Sequence, residues 1–92
     1  MEEMKKIYLD CDLWLNKEDV HTAFRNALSF PEYYGNNLDA LYDMLSSVRN
    51  VDLTLDHTSV LKERFSLWGQ NLYRLVMDAS RENPGLRIML RP

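Results

Sequence analysis

Cysteine is nearly missing from this sequence: Cys11 stands alone among 92 residues, which excludes an internal disulfide and with it the usual staple of small secreted domains. Nothing in its neighbours Asp10 and Asp12 would stabilise a thiolate, so Cys11 is expected to be a small, partly buried apolar residue rather than a nucleophile. Glycine is scarce too. Gly35, Gly69 and Gly85 lie far apart, so no glycine-rich loop can cradle a phosphate, and no Gly-x-Ser-x-Gly elbow presents a serine. The two histidines, His21 and His57, each lack a second ligand at metal spacing, and no metal or cofactor is expected. His21, beside the stripe of Val20 and Phe24, is expected at the surface or partly satisfied. No apolar run is long enough for a signal peptide or a membrane span, and with the single thiol this points to a reducing cytoplasm. Basic residues are outnumbered eleven to fourteen, giving a net charge of −3. Nucleic-acid binding rests on Lys and Arg displacing counterions and is disfavoured, whereas a cationic partner fits.

What is present suits one domain over residues 1–92. The chain is 46% hydrophobic and, at this size, buries roughly two-thirds of the surface its unfolded form exposes. No repeat, low-complexity tract or linker interrupts it. Ile7 and Leu9 alternate with Lys6, Tyr8 and Asp10, predicting a short strand. Asn16 reads as a helix cap with Asp19 three residues on, followed by Val20, Ala23, Phe24, Ala27 and Leu28 at helical spacing. Pro31 stops that helix. A second helix, capped by Asn36 or Asn37, carries Leu41, Met44, Leu45 and Val48 inward. Val51, Leu53 and Leu55 alternate with Asp52, Thr54 and Asp56 in a second strand. After Thr58 or Ser59 as a cap, Val60, Leu61 and Phe65 form a turn or two of helix, with a break expected at Gly69. A longer helix then carries Leu72, Leu75, Val76 and Ala79 to the stop at Asn83-Pro84-Gly85, and Leu86, Ile88 and Leu90 form the last strand.

Strands separated by helices imply parallel pairing. Parallel strands covered on both faces read as continuous apolar runs, but these alternate. The expected fold is therefore α/β in two layers, a three-stranded parallel sheet packed on one face by about four helices. Its other face is left to Lys6, Tyr8, Asp52, Thr54, Arg87 and Met89.

The segment Pro31-Glu32-Tyr33-Tyr34-Gly35-Asn36-Asn37-Leu38-Asp39-Ala40-Leu41-Tyr42-Asp43 poses the functional question. Asp39 and Asp43 lie one helical turn apart and repel by roughly 0.2–0.5 kcal/mol. The helix dipole compensates Asp39 near the N-terminus and Asp43 much less. A solvated helix face is the bland explanation. The flanking Tyr33, Tyr34 and Tyr42 favour an interface, because tyrosine buries area there at low entropic cost; Tyr34 is expected to pack on the core. A paired-carboxylate glycosidase fails, since two acids on one short helix point to the same side and leave no room for a sugar between them.

This segment closely resembles the hallmark of the barstar family of ribonuclease inhibitors, and the resemblance extends weakly over the rest of the chain. It implies the same sheet packed on one side by helices, and inhibition by mimicry, in which a carboxylate takes the place of the RNA phosphate among cationic groups of the enzyme. The family pattern puts that role on Asp43 and a second acidic contact on Asp39. Tyr33 and Tyr42 fall on aromatic contacts, Asn37 and Leu38 on residues at the helix start, Ser46 at its end, and Asp78 on a further acidic contact. Leu38 could equally belong to the core. Gly35 is expected at positive φ, holding the loop in its bound shape. Tyr42 stands where the best-known member has Trp, Asn36 where it has an acid, and Arg49 brings a basic residue to the rim. The implied partner is a secreted or toxin-type ribonuclease, met by a free monomer in the cytoplasm. The alternative is a barstar-like interaction domain that binds a basic protein or toxin other than a ribonuclease; an enzyme ranks third.

Overall fold

The computed structural model describes residues 3–92. In chain order it contains β1 (Lys5–Asp10), a 3-10 turn (Cys11–Leu13), α1 (Lys17–Leu28), α2 (Leu38–Leu45), β2 (Val51–Asp56), α3 (Ser59–Glu82) and β3 (Leu86–Leu90). β2 is central and pairs parallel with both neighbours, so that Ile7, Leu53 and Ile88 lie side by side. The alternation in β2 decides the layering. Val51, Leu53 and Leu55 are buried and meet Val20 and Phe24 of α1, Leu41 and Leu45 of α2, and Leu72 and Val76 of α3 in one core. Each such side chain contributes about 1.5–3 kcal/mol on burial. A slip of β2 by one residue would exchange this set for Asp52, Thr54 and Asp56, which fixes the register. On the open face Tyr8 and Met89 are each 55% exposed. The fold is thus the two-layer α/β arrangement that the alternation required.

Three α-helices cover the sheet, rather than about four, because α3 runs on where a break was expected. Its irregularity lies at Ser66 (φ 52°, ψ −130°), three residues before Gly69. Gly69 itself is helical and buried, and a Cβ there would lie 1.8 Å from the carbonyl oxygen of Leu61. Glycine is needed at this position for the close approach of the two arms of α3, not for ending a helix. The caps are local. Asn16 Oδ1 accepts from the Asp19 amide at 2.8 Å, whereas the Thr58 hydroxyl donates to the Arg91 carbonyl at 3.1 Å and leaves the start of α3 without a side-chain cap. At the far end, Asn83 Nδ2 donates to the Leu45 and Val48 carbonyls at 2.9 and 2.8 Å. That amide ties the end of α3 to the end of α2, which sets the spacing of the two helices described next. No helix among the described residues is long and apolar enough to cross a membrane.

Candidate functional site

The loop before α2 is built from inside outward. Tyr34 is buried, its hydroxyl shares a 2.6 Å hydrogen bond with His21 Nδ1, and its ring packs on Phe30 with centroids 5.0 Å apart. His21 is itself buried and hydrogen-bonded, so of the surface and the partly satisfied positions expected it takes the satisfied one, and its ring lies edge-on to that of Trp68. Burial holds the His21 imidazole below its usual pKa, so the neutral form is favoured, and pushes the Tyr34 hydroxyl up to about 12. Their partnership anchors the loop.

The loop's special backbone position is Asn36 (φ 51°), not Gly35, since no glycine among the described residues has positive φ. Asparagine tolerates this region where most side chains do not. Gly35 serves through space instead: a Cβ would come within 3.0 Å of Asn37 Nδ2, the nitrogen that donates to the Gly35 carbonyl at 3.2 Å. Asn37 is the cap, its Oδ1 accepting from the Ala40 amide at 2.8 Å. Its amide is therefore committed to starting α2. Ser46 closes the same helix, its Oγ donating to the Tyr42 carbonyl at 2.7 Å.

With Leu41 and Leu45 turned into the core, Asp39 and Asp43 face outward. They line a hollow of about 380 Å³ together with Tyr42 from α2 and Asn71, Arg74, Leu75 and Asp78 from α3. Two helices thus bring three carboxylates to one concave surface. Asp78 has Arg81 of its own helix 3.7 Å away. Asp39 and Asp43 form no ion pair within 4.0 Å among the described residues, although Arg74 lines the same hollow. Tyr42 and Leu38 are half-buried against the core, so Leu38 is shared between core and surface. Tyr33 is outside the hollow's wall and stands 81% exposed, an extreme for an aromatic ring.

The family model described as Barstar (barnase inhibitor) matches residues 4–88 of this chain. The chain belongs to the barstar family. A Bacillus subtilis (strain 168) protein carrying the description "Putative ribonuclease inhibitor YrdF" is 44% identical over 52 residues, 56% of this chain and 57% of that protein. The chain thus spans little more than half the length of the curated relative it matches.

For this barstar-family chain, the hollow gathers Asp39, Tyr42, Asp43 and Asp78, which the resemblance had put forward, with Asn71, Arg74 and Leu75, which it had not. The signal for these was present: 71, 75 and 78 recur at helical spacing on one stripe of α3. A second acidic cluster was missed altogether. At the carboxyl ends of the strands Asp10 Oδ1 lies 2.8 Å from His57 Nδ1, and Asp56 accepts from the Tyr8 hydroxyl and, at 3.0 Å, from Arg91 Nη2. The hydrogen bond to Asp10 raises the His57 pKa, and bonds from His57 and Tyr8 respectively lower those of Asp10 and Asp56. Cys11 is fully buried beside this cluster, its thiol pushed up to about 12 first by burial and then by the two aspartates; it is no nucleophile. No group of three or more His, Cys, Asp or Glu among the described residues could hold a metal ion.

Proposed function

We propose that this protein is an inhibitor of a ribonuclease, closing the enzyme's cationic active site with the acidic hollow of α2 and α3. The observation that carries the reading is that Asp39 and Asp43 share one surface and have no ion pair within 4.0 Å among the described residues. In this reading Asp43 takes the place of the RNA phosphate, with Asp39 and Asp78 extending the negative surface. A ribonuclease must hold a phosphodiester with Arg, Lys or His groups, and a carboxylate can accept the same charge-assisted hydrogen bonds. Tyr33 supplies an exposed aromatic contact and Tyr42 a supported one. Leu38 adds apolar area at the edge, while Asn37 and Ser46 keep α2 at its proper length and their backbone within reach of the partner.

Repulsion between Asp39 and Asp43 is relieved only when cations of the partner arrive, so the unfavourable spacing in the free protein becomes favourable in the complex. Opposite charges also steer association, toward roughly 10⁸–10⁹ M⁻¹s⁻¹ at low salt, a range for which barnase and barstar are themselves the standard example. The partner is a secreted or toxin-type ribonuclease, and the inhibitor acts as a monomer inside the cell that must be protected. The test is RNA cleavage by a guanyl-specific secreted ribonuclease at increasing inhibitor concentration. Stoichiometric loss of cleavage that weakens with salt is expected. Unchanged cleavage by such nucleases, with capture of a basic protein that has no nuclease activity, would instead favour an interaction domain for another basic protein or toxin.

A further inference from the structure

On the flank of α3 lies a larger hollow of about 580 Å³ that shares Arg74 and Asp78 with the acidic one and is lined by more basic than acidic side chains. Leu61, Gly69, Tyr73 and Met77 supply apolar and aromatic lining, and the arms of α3 meet there because of the close approach at Gly69. Lys62, Arg74 and Arg81 reach the same space, and Asp78 is the one acidic side chain lining it, with Pro92, the last residue of the described chain, at its edge. Asp78 and Arg81 approach to 3.7 Å, whereas Lys62 and Arg74 have neither an ion-pair nor a hydrogen-bond partner among the described residues. Isolated lysines and arginines on a helix are ordinarily solvated and mean nothing. Here three of them surround a hollow that has a largely apolar wall, in a chain whose net charge is −3.

We propose that this hollow binds a small organic anion with an aromatic body, its phosphate or carboxylate held by Lys62 and Arg74 and its ring placed against Tyr73 and Met77. The volume lies within the range of small-molecule sites, roughly 300–1,000 Å³, which combine apolar walls with a few polar groups. Charge decides the sign of the ligand, since an anion gains charge-assisted bonds from two unpaired cations whereas a cation would meet only repulsion from them. The apolar wall decides its body, since a bare phosphate would leave Leu61, Tyr73 and Met77 in water. This site shares Arg74 and Asp78 with the acidic hollow, but its test uses no nuclease, so its failure is distinguishable from a failure of the inhibitor reading.

Phenyl phosphate titrated into the isotopically labelled full chain tests it, read by amide chemical shifts. Saturable shifts are expected at Lys62, Gly69, Gln70, Tyr73, Arg74 and Met77. Benzyl alcohol and inorganic phosphate, each carrying half of the recognised chemistry, should bind at least roughly tenfold more weakly. Lys62 and Arg74 are exposed, so Lys62→Gln with Arg74→Gln leaves the core untouched and should weaken phenyl phosphate by roughly threefold to tenfold per cation removed. Linear shifts scattered over the surface would overturn the proposal. So would benzyl alcohol binding as tightly as phenyl phosphate, or unchanged affinity in the doubly substituted protein.

Discussion

Two regions of this molecule concentrate aspartate and treat it in opposite ways. At the carboxyl ends of the strands, Asp10 is paired with His57, Asp12 with Arg64 at 3.4 Å, and Asp56 with Arg91 and the Tyr8 hydroxyl. Between α2 and α3, Asp39 and Asp43 have no ion pair within 4.0 Å among the described residues, while Arg74 stands in the wall of their own hollow. The same side chain therefore does two jobs. Where an acid has its cation within the fold, its charge is spent on holding the end of the sheet. Where it has none, the full charge is presented to whatever arrives, and under the proposed function that is the cationic site of a ribonuclease.

The sharpest way to break this contrast is to remove one acid from each region. Asp43→Ala is expected to cost about 2–5 kcal/mol of affinity for the ribonuclease, because a charge buried against cations in the complex is lost. Asp56→Ala should leave that affinity unchanged within error, with both measured by inhibition titration. An equal loss in both would show that only the overall charge matters. Next in size is Gly69→Ala, which places a methyl group on the Leu61 carbonyl and is expected to destabilise the fold by about 1–3 kcal/mol in chemical denaturation. It also shifts the wall that carries Asn71, Arg74 and Asp78 against α2, so binding should fall with stability. Asn37→Ala removes the cap of α2 and is expected to cost about 1 kcal/mol of stability.

The smallest effects are in pH dependence, and the two histidines should oppose one another. Folding depresses the pKa of His21, so its contribution is complete above the ordinary imidazole value near 6.5 and is lost as the pH falls toward the depressed folded pKa. Folding raises that of His57, so its contribution is complete below about 6.5 and disappears as the pH rises through the raised value. Denaturant midpoints measured across this range should slope in opposite directions for His21→Gln and His57→Gln when each is compared with the parent protein. Parallel slopes would mean that burial does not govern His21 or that the bond to Asp10 does not govern His57.

Much of the fold could be read from periodicity. Val51, Leu53 and Leu55 set against Asp52, Thr54 and Asp56 announced a sheet with one wet face, and Asn16 announced the start of α1. The errors fell where a glycine was read by habit. Gly69 and Gly35 were expected to be conformational devices, but the unusual backbone angles belong to Ser66 and Asn36, and at Gly69 it is the Leu61 carbonyl that leaves no room for a Cβ. Steric need for the absence of a Cβ arises from what lies across the gap, and a linear pattern carries no information about that. For His21 the sequence left a surface and a partly satisfied position open, for the same reason. Its place on the apolar stripe was visible, but its partner Tyr34 lies thirteen residues away across a loop.

By itself the sequence determined the layers, the parallel sheet, the helix that carries Asp39 and Asp43, and the acid spacing that helix stability does not account for. All of these follow from local periodicity, in which neighbours in the chain are neighbours on an element. Only the tertiary structure decided which aspartates remain unpaired, since Asp10 meets His57 across 47 residues and Asp56 meets Arg91 across 35. It also brought Asn71 and Arg74 to the hollow of α2. Whether a charge is satisfied depends on distance in space to an opposite charge, and that distance is set by packing.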